Sequence, residues 1–255
     1  MTGAGVAAMA LTVLTAACAT MPLRVPEGPS RPLAASEAVT IFVRASAVCS
    51  GVRTLTAEVG LSGRVGSRKL RGRVLAGLER SGSVRLEAPA PFGAPVFIFA
   101  ARASRSVLWF PRDNRVLRDA AVADVLEALT GLRRRSDDLL ALLTGCLVSD
   151  PQAEATEARR FDSGWMAMPL SGGVEAFMRS RRQQWRIVGG RGPGGGGDPA
   201  TPSWTVAYDE FAAGFPGRVR LSQASTTDVT FRVSQLEANV AIDPAAFALT
   251  VPADA

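Results

Sequence analysis

Apolar residues recur at every second position through most of the chain after residue 54, and no other feature of the sequence limits the fold as tightly. Leu55, Ala57, Val59 and Leu61 alternate with polar or small residues, and Leu70, Gly72, Val74, Ala76 and Leu78 repeat the pattern with Arg71, Arg73 and Glu79 on the other face. A period of two places successive side chains on opposite faces of a strand, one toward a core and one toward water. Val84, Leu86 and Ala88 continue the series, followed by Val96 to Ala101 and Ser106 to Phe110, with proline-rich turns at Pro89–Pro95 and Pro111–Asn114 between runs. Further strands are expected around residues 164–168, 174–178, 184–188, 204–208, 218–222 and 229–236, and a last short one at Phe247, Leu249 and Val251. Short strands separated by turn residues read as an antiparallel meander.

Three stretches break the period. Ser36 and Glu37 open an apolar-periodic run through Val39, Phe42, Val43 and Ala47, which predicts a helix to about Gly51. Val122 to Leu132 and Ser136 to Leu143 carry apolar residues three and four apart, with Ser136, Asp137 and Asp138 supplying acceptors and negative charge at a helix start and Gly145 a stop. The order helix, strands, two short helices, strands predicts a mainly β fold with helices (α+β). It would be an unclosed antiparallel β-barrel of about ten or eleven strands, because a sheet that wide must curl to bury its apolar face. A helical lid over the mouth of such a half-barrel would leave an apolar cavity.

The first 17 residues hold no Lys, Arg, Asp or Glu and are mostly small or apolar, the length and texture of a signal-peptide core rather than a membrane span. They end in Leu14-Thr15-Ala16-Ala17-Cys18, small residues before a cysteine, which resembles the lipobox at which bacterial lipoproteins are cleaved and acylated. That resemblance assigns residues 1–17 to a lipoprotein signal peptide and Cys18 to the lipid attachment. Residues 18–35, rich in proline and small side chains, read as a flexible tether, and 36–255 as a single domain. Ala19 after the cysteine favours the outer membrane, with the domain facing the periplasm. With Cys18 set aside, Cys49 and Cys146 are an even pair in a compartment that permits disulfides and are expected to bond. The alternative is two small buried side chains that never meet.

The formal net charge of +6 is carried by arginines scattered along the chain, Lys69 being the only lysine, which argues against a dedicated nucleic-acid surface. There is no histidine, so His-based triads, most zinc sites and the usual proton shuttle are excluded. Asp137 with Asp138, Asp209 with Glu210, and Ser136 read as helix caps and solvated pairs, so no catalysis and no metal or other cofactor is expected. Residues 189–202, GGRGPGGGGDPATP, lack the Gly-Lys-Ser/Thr ending of a phosphate loop and read as a Gly-rich disordered hairpin tip.

Three segments together resemble the outer-membrane lipoprotein receptor LolB, of the LolA/LolB-like carrier superfamily: Arg85-Leu86-Glu87-Ala88-Pro89-Ala90-Pro91-Phe92-Gly93; Val96-Phe97-Ile98-Phe99; and Leu129-Thr130-Gly131-Leu132 followed by Leu139-Leu140-Ala141-Leu142-Leu143-Thr144-Gly145. The resemblance implies an apolar cavity that takes the acyl chains of lipoproteins or other lipids, delivered by a periplasmic LolA-like carrier to a monomeric receptor on the outer membrane. Its wall would come from the inward positions Leu55, Val59, Leu70, Val74, Val84 and Leu86, and alignment of the turn adds Phe97, Phe99, Val107 and Trp109. Where that family projects a leucine that helps insert cargo into the bilayer, this chain has Phe92. A different class of function, a non-catalytic envelope assembly lipoprotein using the curved sheet as a protein-docking surface, is the alternative.

Overall fold

The computed structural model describes residues 23, 25–103, 105–130, 136–149, 157–181, 184–193, 204–223 and 227–252. Residues 1–22, and with them the signal peptide, Cys18 and the first part of the tether, lie outside the described residues. Fourteen antiparallel strands form one sheet that does not close. Its middle is a run of long strands, β2 (Thr54–Val65), β3 (Arg68–Glu79) and β14 (Thr227–Ala238). β2 pairs with β3 through a two-residue turn at Gly66 and Ser67, and Leu55 faces Leu78 as Val59 faces Val74. On the far side of β2 lies β14, so the last strand of the chain closes onto the first long one.

From β3 the sheet continues through β4 (Val84–Ala88), β5 (Phe97–Arg102), β6 (Arg105–Phe110) and β7 (Arg115–Arg118), which forms one edge. From β14 it continues the other way through β13 (Arg218–Gln223), β12 (Trp204–Asp209), β11 (Gln184–Gly192), β10 (Val174–Arg181), β9 (Trp165–Leu170), β8 (Arg159–Phe161) and β1 (Ser30–Pro32). Eleven of the strands are those predicted from the apolar period. β1, β7 and β8 carry no such period, which raises the count to fourteen. β1 and β7 are the sheet edges and β8 is a three-residue strand beside β1; all three are short with side chains mostly facing water, so nothing in their sequence marks a core face. The segment around Phe247 is not a strand: Pro244–Phe247 form a one-turn helix, with the Asp243 carboxylate accepting from the Ala245 amide.

The helices cover the inner face. α1 (Ala35–Ser50) buries Ala38, Ile41, Phe42, Ser46 and Cys49, one stripe at helical spacing, and packs against β11. α2 (Val122–Thr130) and α3 (Ser136–Thr144) follow β7 in the chain, with Val125 and Leu126 of α2 and Leu139, Leu140, Leu142 and Leu143 of α3 buried in the main core and α3 packed against β3. Cys49 and Cys146 are joined in a disulfide that ties the end of α1 to the turn after α3.

Two boundaries differ from the sequence reading. Ser30–Pro32, assigned to the tether, pair with β8. Gly189–Gly192, assigned to the Gly-rich loop, are the last residues of β11, while 194–202 lie outside the described residues. These glycines answer to packing. A Cβ on Gly192 would stand 2.3 Å from the Trp204 ring, and one on Gly189 would stand 2.4 Å from the Val206 carbonyl oxygen and 2.5 Å from Leu23 Cδ1. A composition that looks like a linker is here a strand with crowded neighbours.

Candidate functional site

Between the inner face of β2–β5 and α3 lies an apolar cavity of about 210 Å³. Its floor is Val59, Leu61, Val74, Leu86 and Phe231, and its roof is Leu139 and Leu143, four residues apart and therefore on one face of α3. Leu70 closes it toward the β2–β3 turn. Pro89, Val96 and Phe97 stand at its edge, at the two roots of the β4–β5 hairpin. At about 30 Å³ per water-sized group, the space holds roughly seven such groups. That is a run of methylenes rather than a whole long chain, so a longer occupant extends beyond the hollow.

Five of the ten positions predicted for the wall line this space: Val59, Leu70, Val74, Leu86 and Phe97. Leu55, Val84 and Phe99 also face inward but are sealed in the close-packed core, with no exposed surface. Val107 and Trp109 are corrected. In the β5–β6 register Phe99 faces Leu108, whereas Ala100 faces Val107 and Ile98 faces Trp109, so the two predicted residues lie on the outer face. The run Ser-Val-Leu-Trp-Phe is apolar at four consecutive positions, and a strand apolar on both faces leaves its phase open. The outer face of this part of the sheet is apolar because the C-terminal segment lies on it: Phe247 is buried, and the Ala246 carbonyl accepts from Arg85 Nη1. Sequence reasoning missed Leu61, Phe231, Leu139 and Leu143. The spacing of the two α3 leucines was a visible signal for the lid, but which sheet residues it would face was not.

The β4–β5 hairpin presents the second element of the site. Its loop contains Pro89, Pro91 and Pro95, each with a fixed φ, and Gly93 takes φ 75°, a left-handed value suited to glycine. The Val96 amide donates to the Ala88 carbonyl at 2.8 Å and closes the loop. Arg112, from the β6–β7 turn, donates from Nη2 to the Phe92 carbonyl at 2.8 Å and from Nε to the Ala94 carbonyl at 3.1 Å. Phe92 at the tip is 89% exposed, the highest value among the large apolar side chains. A loop braced in this way cannot readily fold its ring back onto the sheet, so the exposure is imposed by the backbone. Arg112 was not singled out in the sequence, since its two acceptors are backbone atoms some twenty residues away.

Three of the acidic residues considered in the sequence, Asp138, Asp209 and Glu210, are engaged elsewhere. On the outer face Asp209 and Glu210 form ion pairs with Arg218, Arg220 and Arg232, and Asp138 accepts from the Ser149 hydroxyl at 2.9 Å. Among the described residues no three Cys, Asp or Glu side chains are grouped as a metal site. None of the described helices is long and apolar enough to cross a membrane.

No protein-family model and no curated protein matches the sequence. Solved structures do match. A LolA superfamily protein from Nitrosomonas europaea superposes with a TM-score of 0.52 at 11% identity, covering 82% of this chain and 96% of the other. A DUF1329 family protein from Desulfovibrio piger gives 0.53 at 10% identity, over 84% and 97%. At such low identity the likeness is one of backbone, and it extends over nearly the whole of both relatives. With its unclosed antiparallel sheet and helices across the inner face, the chain has the fold seen in this LolA superfamily protein and this DUF1329 family protein.

Proposed function

We propose that this protein is a non-catalytic lipoprotein, acylated at Cys18 and facing the periplasm from the outer membrane, that receives acyl chains of lipoproteins or other lipids and passes them into the bilayer. The observation that carries this reading is the placement of the exposed Phe92 at the tip of a braced hairpin whose roots, Pro89, Val96 and Phe97, border the apolar cavity. An acyl chain held beneath Leu139 and Leu143 then has a path along the hairpin to the membrane. Burying the Phe92 ring in the bilayer interface is worth about 1.5–3 kcal/mol, enough to orient a tethered domain but not to hold it there. Transfer needs no energy source where the bilayer holds the chain better than the cavity does, because each methylene that the cavity leaves in water gains about 0.8 kcal/mol on entering the bilayer. Cargo would arrive from a LolA-like periplasmic carrier, with this chain acting as a monomer.

The test is transfer of a fluorescent diacylated peptide from the protein to lipid vesicles. Phe92→Glu places a charge at the tip while leaving the cavity untouched. The variant is expected to bind the peptide as the parent does and to deliver it at least about tenfold more slowly, a change of about 1.4 kcal/mol. Equal delivery by the two proteins would remove the role assigned to the hairpin, and a parent protein that binds no acylated peptide would remove the function itself.

A further inference from the structure

A second hollow, of about 910 Å³, lies between α1 and the start of β11, and its chemistry is unlike that of the apolar cavity. It stands at the other end of the sheet. Gly192, Trp204, Gln223, Thr227, Val65 and Arg68 form one row across the strands at the end near the apolar cavity, and β11 begins at Gln184, at the opposite end. Three arginines line the groove, Arg44 on α1, Arg160 on β8 and Arg186 on β11, against one carboxylate, Glu37. The lining therefore carries a surplus of two positive charges.

Two of the guanidinium groups are set on aromatic faces that also line the groove. Arg160 Cζ lies 5.3 Å from the centroid of Trp185, and Arg186 Cζ lies 4.4 Å from that of Phe211. Stacking of this kind fixes the guanidinium plane and leaves its N–H edge available, the geometry in which arginine recognises phosphate. Glu37 occupies part of Arg160 through a contact of 3.2 Å to Nη1, yet Arg160 Nε is enclosed and lacks a hydrogen-bond partner. Arg44 and Arg186 form no ion pair among the described residues. Arg186 stands at the rim and also borders the neighbouring hollow that holds Asp209 and Glu210, whose carboxylates are taken by Arg218, Arg220 and Arg232.

We propose that this groove binds a phosphate group, with Arg44, Arg160 and Arg186 as its cations and Trp185 and Phe211 as the surfaces that hold two of them in place. Inorganic phosphate in its doubly charged form balances the surplus and a phosphodiester headgroup offsets half of it, and either offers acceptors for several guanidinium edges. The group could belong to inorganic phosphate or to the headgroup of an anionic lipid. The inference does not depend on the apolar cavity, which lies at the other end of the sheet.

The experiment follows the arginine Nε–Hε signals of the full mature chain by NMR during two titrations, one with inorganic phosphate and one with dihexanoyl phosphatidylglycerol below its micelle concentration. The signal of Arg160 is expected to shift and saturate with Kd of about 1 mM or tighter in at least one titration. Saturation by inorganic phosphate at equal or greater affinity identifies the free anion as sufficient, and saturation by the lipid alone assigns the site to a headgroup. The double variant R44Q/R186Q is expected to weaken that binding at least about tenfold, with an unchanged melting temperature and unchanged uptake of a fluorescent fatty acid. No saturable shift in either titration, or equal affinity in the folded double variant, overturns the proposal.

Discussion

Val74 shows how much a single side chain governs in this molecule. It faces Val59 across the β2–β3 ladder and forms part of the cavity floor beneath Leu143, so its volume sets how much room remains. Val74→Trp is predicted to fill that room. Overpacking of this kind costs about 1–3 kcal/mol, which a domain of this size tolerates. The expected result is a folded protein, by near-ultraviolet circular dichroism, whose affinity for a fluorescent fatty acid falls at least about tenfold. Gly192 makes the complementary point. A Cβ at this position would stand 2.3 Å from the Trp204 ring, so Gly192→Ala is predicted to destabilise by about 1–3 kcal/mol in urea unfolding, although the residue belongs to a stretch that looks dispensable. Nothing in the run Gly189-Gly190-Arg191-Gly192 separates glycines required by a close neighbour from glycines of a linker, because the neighbour lies on another strand.

At the scale of elements, what was legible was what alternates against a single core. β2, β3, β4 and β14 each show the period, although their pairing register was not legible from it. The edge strands β1 and β7, and the three-residue β8 beside β1, were illegible for the same physical reason, since a short strand with water on most sides has no apolar face to betray it. β6 differs: with Leu108 turned inward and Trp109 outward, both phases are apolar and the sequence does not distinguish them. The hairpin above the cavity was legible in its prolines but not in its brace. Arg112→Ala removes both donors to the loop and is predicted to leave stability within about 1 kcal/mol while loosening the tip. Faster amide hydrogen exchange at Phe92 and Gly93 and a partial loss of vesicle delivery, smaller than that of Phe92→Glu, are the measurements that check it.

Across the whole molecule, the sheet is a frame held open on one side and the helices are what close it. α3 contributes both the roof of the cavity and, through the turn that follows it, the half-cystine Cys146. The disulfide closes a loop of 97 residues that spans β2 to α3, so it holds the end of the lid against α1 while the start of α3 is free of that restraint. The Leu147 amide donates to the Tyr208 hydroxyl at 3.2 Å and Arg80 Nη1 to the Ser149 carbonyl at 3.3 Å, which fixes the same end. Replacing both cysteines with alanine is predicted to lower unfolding free energy by about 2–5 kcal/mol in denaturant titration. The central claim, that an acyl chain lies between β2–β5 and α3, is tested most directly by photolabelling. A palmitate carrying a photoreactive group near its methyl end is irradiated with the protein, and the labelled peptides are mapped by mass spectrometry. Label concentrated on Val74, Leu86, Phe97, Leu139 and Leu143 is the predicted result; label scattered over the outer face, or none above the level of unfolded protein, would contradict it.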